Sequence, residues 1–292
     1  MTDSSGTRQA MSWLSDGTLR WRPAQCNWPD NMRVAVWPVV NIEEYPVGGS
    51  GPSPQPHLAR GLDIANYGWR TYGSEVGVFR LMELSSELSM PCTAAVNSSI
   101  CSSHPAVIDS ILSCGWDIIG HGRDNVTRQY DMSRVTEEAL VKDAIQSLES
   151  KTEKTIKGWL TPGFDISEST FDILREMGIA YTADLSFSDR PAWIDTRSGP
   201  LLAIPYGLET NDISLILNMH YTTAEYAHAI TKHVGQLATE PTESVVALGL
   251  HPFIMGQPGR IGALKECIRS LRSIRGVWIA TGSQILERCR QK

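Results

Sequence analysis

The chain has 292 residues, of which 41% are hydrophobic and 20% are charged, and its formal net charge is −6. These proportions are ordinary for a globular protein and allow a large single core. Lys and Arg form no cluster, whereas binding to a polyphosphate needs concentrated positive charge. We therefore expect no nucleic-acid partner.

Cysteine spacing and hydropathy indicate the compartment. The six cysteines include no C-x-x-C pair, so we predict free, buried thiols in a reducing environment. The first twenty residues are polar, without the apolar core of a signal peptide, and no run of about eighteen apolar residues occurs. The sequence therefore predicts a cytoplasmic protein without a membrane span.

Residues 1–30 are predicted to be an irregular N-terminal arm. They carry Trp13, Trp21 and Trp28, and an arm this aromatic is expected to pack on the body or on a neighbouring subunit. Residues 31–292 are predicted to form one domain. A long Gly- and Pro-rich loop is expected over residues 46–60, where it could form a lid or a substrate wall.

Apolar runs that predict strands alternate with segments of helical spacing from Val34 onward. Strands are predicted at residues 34–40, 93–97, 116–122, 181–184, 244–250 and 277–280, with a further strand and tight turn over residues 158–163. Helices are predicted at 76–88, 105–113, 135–151, 167–177 and 260–274. This alternation predicts an α/β protein with a mostly parallel sheet. Six or more such units in about 250 residues favour a (β/α) barrel over an open sheet, and the first strand has no Gly-rich phosphate-binding sequence after it.

Polar residues recur where the predicted strands end. Glu43 and Glu44 follow the first strand, His121 ends the third, and His251 follows a later one. A single histidine or carboxylate in such a place is often a structural or solvated group. The carboxyl ends of barrel strands, however, converge on the face where active sites lie, so two Glu and two His there predict a catalytic site.

These residues and their order resemble the polysaccharide deacetylase family, carbohydrate esterases with a distorted (β/α) barrel. The resemblance runs from about Arg33 to Gly282 and keeps the order of five family motifs. The motifs fall on Asn41-Ile42-Glu43-Glu44, His121-Gly122-Arg123-Asp124-Asn125, Leu160-Thr161-Pro162, Ser188-Asp189-Arg190-Pro191 and Leu248-Gly249-Leu250-His251-Pro252.

The resemblance implies a catalytic-base position at Glu43 and metal-ligand positions at Glu44 and His121. Asn125 stands where the family has a second histidine ligand, and Leu160 replaces an arginine. Asn is a weak zinc ligand, and a catalytic zinc needs three good protein ligands. We therefore expect either no cofactor or one weakly bound divalent metal, with zinc the first choice.

Further blocks resemble one branch of the family, the deacetylase-like allantoinases and cyclic imide hydrolases. They are Asn-x-Glu-Glu at the first strand, Tyr67-Gly68-Trp69-Arg70, Tyr72-Gly73, His121-Gly122-Arg123 and Gly256-Gln257-Pro258. The resemblance implies hydrolysis of a non-peptide C–N bond in a small cyclic imide or ureide. Together with the aromatic arm, it also implies a homo-oligomer, either a dimer or a tetramer.

Such a reaction needs a base, an acid and groups that hold the substrate. We expect Glu43 to be the general base and His251 the general acid, with Asp189 fixing the histidine tautomer. The expected substrate-binding residues are Tyr45, Trp159, Pro162, Trp193 and Arg260. Tyr45 and the two tryptophans would form walls against a flat ring, and Arg260 would contact an anion or carbonyl unless it is a surface charge at a helix start.

Two other functions are compatible with the sequence. One is N-deacetylation of an acetylated sugar or peptidoglycan fragment, the reaction of the wider family. The other is a non-catalytic binding protein on a decayed barrel, which the replacements at Leu160 and Asn125 suggest.

Overall fold

A computed structural model describes residues 14–15, 18–55 and 62–290 of the chain. Trp13, most of the predicted arm before Thr18, and the end of the predicted 46–60 loop lie outside these residues. The described part of that loop, residues 46–55, contains no helix or strand.

The centre of the protein is a ten-stranded sheet in which most neighbours are parallel. Its order is β12-β5-β6-β7-β8-β9-β11-β10-β3, and β13 also pairs with β5. The strands of this sheet are β3 (Trp21–Pro23), β5 (Val34–Ile42), β6 (Thr93–Val96), β7 (Asp117–Gly120), β8 (Gly158–Trp159), β9 (Tyr181–Thr182), β10 (Ala192–Thr196), β11 (Gly199–Ala203), β12 (Ser244–Leu250) and β13 (Val277–Ile279). Two smaller pairs are β1 (Leu14–Ser15) with β2 (Thr18–Leu19), and β4 (Gln25–Cys26) with β14 (Cys289–Arg290).

Helices follow most of the parallel strands, as expected for β/α units. They are α1 (Ile64–Tyr72), α2 (Val78–Glu87), α3 (Ile100–Ser103), α4 (Pro105–Ser113), α5 (Arg134–Thr152), α6 (Thr170–Glu176), α7 (Thr223–Leu237), α8 (Pro252–Met255), α9 (Pro258–Ser273) and α10 (Gly282–Arg288). Two π-helical segments, Gly73–Gly77 and Ile213–Asn218, and three short 3-10 turns complete the described structure. None of the helices described is both long and apolar enough to cross a membrane.

Strand β5 is buried on both faces, and its alternating residues contribute to two separate core layers. Val34 and Val36 belong to the larger layer, between the sheet and the helices. Ala35 and Trp37 belong to a second layer on the other face of the sheet. This two-sided burial explains why the strand is a continuous apolar run in the sequence.

Pro38 is unusual in the middle of a sheet because proline cannot donate a backbone hydrogen bond. The carbonyl of Val36 accepts from Ala280 N, so the even-numbered residues of β5 face β13 and β6. Pairing with β13 ends at Val36, and pairing with β6 begins at Val39. Pro38 thus lies between two partners, where a missing N–H leaves no ladder bond unmade.

The predicted α/β fold of the polysaccharide-deacetylase type is confirmed by this architecture and by the structural likeness reported below. The seven predicted strands and five predicted helices are all present. Among the described residues no ladder closes the sheet between β12 and β3. A hydrogen bond from Val245 N to Asp189 O and a bridge between Asn211 and Gly249 connect β12 to neighbouring segments instead.

The described part of the arm is not irregular, which corrects the sequence prediction. Strand β3 adds to the edge of the main sheet through β10, and β4 pairs with β14 near the C-terminus. Trp28 is buried, and its ring lies 5.7 Å from that of Trp278. These strands are short and polar on one side, so the sequence offers little periodicity from which to predict them. The boundary of the domain at residue 30 stays a prediction.

Candidate active site

One cavity opens at the carboxyl ends of strands β5, β7 and β12, and its volume is about 280 Å³. Polar residues from those strand ends form its floor, and apolar side chains form part of its wall. The residues that line the cavity include Asn41, Glu43, Tyr45, His121, Asn125, Arg128, Leu160, Thr161, Phe164, Tyr206, Leu208, Asn211, Ile213 and His251. The sequence-predicted residues that the structure brings together here are Glu43, Tyr45, His121, Asn125 and His251.

Glu43 is the central group of the cavity, because several donors converge on its carboxylate. Asn125 Nδ2 donates to Oε1 at 2.6 Å, and the hydroxyl of Tyr45 donates to Oε2 at 2.7 Å. The Nε2 atoms of His121 and His251 lie 3.4 and 3.5 Å from Oε1. A carboxylate held this way is an oriented, ionised group.

The electrostatic environment keeps Glu43 ionised. Burial alone would raise the pKa of this carboxyl group, but the charge of His251 and the hydrogen bonds of His121 and His251 outweigh it. The result is a pKa well below the usual range for Glu. Glu43 is therefore a carboxylate at any physiological pH.

His251 is held by a buried carboxylate that the sequence did not indicate. Its backbone N–H donates to Asp212 Oδ2 at 2.6 Å, and its ring Nδ1 lies 2.5 Å from Asp212 Oδ1. Burial would lower the pKa of the imidazole, but Asp212 and Glu43 outweigh this and raise it to about 10. Burial also raises the pKa of Asp212. With carboxylates on two sides of the ring, the proton resides on His251, whose Nε2–H faces the cavity.

The prediction that Asp189 orients the catalytic histidine is therefore wrong. Asp212 occupies that position. Asp189 lines a separate, smaller cavity, and its backbone carbonyl accepts a hydrogen bond from Val245 N. The residue selected by the match to the family's aspartate motif therefore does not contact His251. The only sequence signal for the true partner was an Asn-Asp pair at residues 211–212, directly before an apolar run.

Glu44 does not join the cavity, which corrects its assignment as a metal ligand beside His121 and Asn125. Asn41, Glu43 and Tyr45 line the cavity, so the two-residue alternation of β5 continues past the strand end. Glu44 consequently faces the other way. Its Oε2 accepts from Ser103 Oγ at 2.5 Å and lies 3.4 Å from His104 Nδ1.

The donors around Glu43 do not fit the divalent metal that the fold family implies. A metal needs lone pairs that converge on one point. Here Asn125 turns its amide nitrogen toward Glu43, His251 Nδ1 is engaged by Asp212, and Glu44 faces Ser103 outside the cavity. Within the described residues no group of three or more His, Cys, Asp or Glu could hold a metal ion. No step of the mechanism below is assigned to a metal.

Four of the predicted substrate contacts lie outside the cavity lining. Trp159 is fully buried and packs on Gly120, because its size suits the core better than an open wall. Pro162 packs against Gly122, and Trp193 lies in the second core layer. Arg260 lies in the first turn of α9 and donates a hydrogen bond to the carbonyl of Ile254 in α8. It is therefore a charged residue at a helix start, the alternative to substrate binding.

Apart from Leu160, the walls of the cavity come from residues that the sequence did not single out. Leu160, Phe164, Leu208 and Ile213 supply the apolar surface, and Arg128 supplies an exposed guanidinium. They lie in loops, 3-10 turns and a π-helical segment, where no simple periodicity marks the side that faces inward.

A tyrosine hydroxyl is the other group that the sequence missed. Tyr206 is buried in the cavity floor, and its oxygen accepts hydrogen bonds from Asn41 Nδ2 at 2.9 Å and Asn211 Nδ2 at 3.1 Å. These two bonds use both lone pairs of the hydroxyl. Burial raises the pKa of this phenol, so it keeps its proton. Among the described residues no acceptor for that proton is found, and it remains available to a ligand.

Comparisons with known proteins agree with this fold. Residues 71–182 match the polysaccharide deacetylase family. The solved structure of PuuE allantoinase superposes with a TM-score of 0.81 at 25% identity, over 89% of this chain and 91% of that one. A Pseudomonas aeruginosa PAO1 structure, named for the polysaccharide deacetylases, gives a TM-score of 0.81 at 26% identity, over 89% and 92%. A Schizosaccharomyces pombe protein with a polysaccharide deacetylase name is 23% identical, over 91% of this chain and 93% of its own length.

Fold and site together define a hydrolase of the deacetylase type. The resemblance that the motifs predict is confirmed, because residues 71–182 match the polysaccharide deacetylase family and the solved structures of PuuE allantoinase and the Pseudomonas aeruginosa protein share the fold.

Proposed function

We propose that this protein hydrolyses a C–N bond in a small cyclic amide, a cyclic imide or a ureide. The observation that carries the proposal is an ionised carboxylate, Glu43, beside a protonated histidine, His251, on the floor of a cavity of about 280 Å³. This volume is at the lower limit for small-molecule sites. The likeness to PuuE allantoinase supports the same substrate class.

In the proposed reaction, Glu43 removes a proton from a water molecule while the water oxygen attacks a ring carbonyl carbon. Asn125 and Tyr45 hold the carboxylate in place through its two oxygens. The C–N bond then breaks, and the nitrogen leaves with a proton from His251 Nε2. The product is a single ring-opened molecule that carries the new carboxylate at one end and an amide or ureido group at the other.

Coupling between Glu43 and His251 stabilises the proton that Glu43 has taken from water once His251 gives up its own proton. The positive charge of His251 is one cause of that low pKa. When His251 gives its proton to the leaving nitrogen, this charge disappears and the proton affinity of Glu43 rises. Proton loss from the acid therefore favours proton gain by the base.

The free hydroxyl hydrogen of Tyr206 is suited to stabilise the carbonyl oxygen as it becomes negative. Its oxygen is fixed by Asn41 and Asn211, so the donor is oriented before substrate arrives. Replacement of Tyr206 by Phe is expected to lower kcat by about two to three orders of magnitude, with a much smaller change in KM. Steady-state kinetics of the purified variant give both values.

Tyr226→Phe is the matched control for Tyr206→Phe. The Tyr226 hydroxyl is also buried, has no partner among the described residues, and lies in the larger core layer, between the sheet and the helices. Its loss should leave kcat unchanged. A Tyr206→Phe enzyme that keeps its kcat and shows only a lower melting temperature would assign Tyr206 a structural role.

A second candidate, N-deacetylation of an acetylated sugar, is supported by the family match and by the names of two relatives. The two reactions use the same base and acid and differ in the bond that is cut. The apolar wall formed by Leu160, Phe164 and Ile213 favours a small, flat ring.

The test of the proposed function is an assay of the purified protein with allantoin, succinimide, dihydrouracil and a chitin oligomer, each with and without chelator. We expect ring opening of at least one cyclic amide and no acetate from the oligomer. Acetate release without ring opening would establish the second candidate. Binding without turnover of any of the four would support a non-catalytic protein.

A further inference from the structure

Two buried cysteines that are far apart in the sequence lie side by side where strand β4 pairs with strand β14. Cys26 lies on β4 and Cys289 on β14, and they are directly opposite each other in an antiparallel pair. Their Sγ atoms are 2.8 Å apart, although 263 residues separate them in the chain. Both are 8% exposed and neither belongs to the candidate active site.

The backbone at this position is compatible with a covalent link. Opposite residues of an antiparallel pair have Cα atoms about 4.5–5.5 Å apart, within the range that disulfides span. The pair is anchored on both sides, because Asn27 N donates to Arg288 O and Ala24 N donates to Pro191 O. Formation of a bond between the two sulfur atoms therefore needs little movement of the chain.

We propose that Cys26 and Cys289 are a dithiol site that small-molecule disulfides oxidise to an intramolecular disulfide. One cysteine thiolate attacks the small disulfide, forms a mixed disulfide and releases one small thiol. The second Sγ then displaces the second small thiol and forms the Cys26–Cys289 bond. The two protein thiols lose two electrons and two protons, and the two released small thiols take them up.

Burial and contact between the two sulfurs govern the rate of this reaction. The hydrogen bond with Cys26 and burial both raise the pKa of the Cys289 thiol. Attack requires a thiolate, so oxidation should be slow at neutral pH and faster as the pH rises. A persistent, slowly exchanging link is the expected result, in contrast to a rapidly switching one.

The link would join the N-terminal strands to the C-terminal helix and strand. Trp28, two residues after Cys26, packs on Trp278, and α10 leads directly into Cys289. The site precedes the start of β5, whereas the cavity lies beyond the end of that nine-residue strand. Oxidation should therefore stabilise the fold without changing the chemistry of the cavity.

The experiment treats the full-length purified protein with oxidised glutathione at pH 8.5, with dithiothreitol-treated protein as the reference. Peptide mapping under non-reducing conditions should show a Cys26–Cys289 linked peptide and the loss of two free thiols. The melting temperature should rise by about 5–10 °C and return on reduction, as expected for a disulfide that closes a long loop.

Two variants make the outcome specific. Cys26→Ser should abolish both the linked peptide and the rise in melting temperature, while Cys114→Ser, at an exposed cysteine, should abolish neither. Stable glutathione adducts on Cys26 or Cys289 without a linked peptide would overturn the proposal. A linked peptide that joins other cysteines would overturn it equally. The test does not depend on which substrate the protein uses.

Discussion

Replacing Glu43 by Gln is expected to lower kcat for the cyclic amide by about two orders of magnitude or more. Gln keeps the shape of the side chain and can still contact Asn125 and Tyr45, but it cannot accept a proton from water. The loss should fall on kcat more than on KM, because proton removal belongs to the transition state. Steady-state rates of the purified variant, with its melting curve, provide the measurement.

The neighbouring Glu44→Gln variant is the matched control. Its carboxylate lies against Ser103 and His104, outside the cavity. Turnover should stay within a few-fold of the parent enzyme, as expected for a residue away from the reacting atoms. If Glu44→Gln were as inactive as Glu43→Gln, the assignment of Glu44 to the outer side would be contradicted, and a metal role for it would return.

Replacing Asp212 by Asn is expected to lower kcat by about two orders of magnitude and to change the pH profile. His251 acts as an acid only when protonated, so activity should fall as the pH rises through its pKa of about 10. Asp212 is one of the two carboxylates that raise this pKa. Without its negative charge the pKa of His251 falls, and the alkaline limb of kcat/KM should move toward neutral pH.

The control for this experiment is Asp189→Asn. The sequence comparison matched Asp189 to the aspartate motif of the family, but Asp189 lies in another cavity. The Asp189→Asn variant should keep the kcat of the parent enzyme, and the alkaline limb of its kcat/KM pH profile should not move. The assignment would be wrong if Asp212→Asn left the limb in place while Asp189→Asn moved it.

The parallel strands and their helices could be predicted from the sequence, because each β/α unit has an apolar run followed by a segment with helical spacing. The continuous apolar run of β5 reflects burial on both faces. The apolar residues before Pro91 and after Pro105 have helical spacing, which marks α2 and α4. Glu43, His121 and His251 could be found because strand ends in a parallel sheet meet at one edge. Short strands such as β10 and β11 lack a comparable signal.

The wrong parts of the predicted site depend on side-chain direction, which motif order does not contain. The sequence predicts that the turn after β5 brings both carboxylates to the cavity, but the alternation of the strand continues and separates Glu43 from Glu44. Asp212 was missed because it is the N-cap of the short π-helical segment Ile213–Asn218 and reaches His251 only through tertiary packing. Trp159 is large and apolar, and the core rather than the cavity accommodates it.

The most direct test of the central claim is to follow the oxygen of water into the product. The purified protein is incubated with succinimide, allantoin or dihydrouracil in water enriched in oxygen-18, and the products are examined by mass spectrometry. We predict a ring-opened product with a single labelled oxygen in its new carboxylate, formed by the parent enzyme and nearly lost in Glu43→Gln. Unchanged cyclic amides, together with labelled acetate from a chitin oligomer, would contradict cyclic amide hydrolysis.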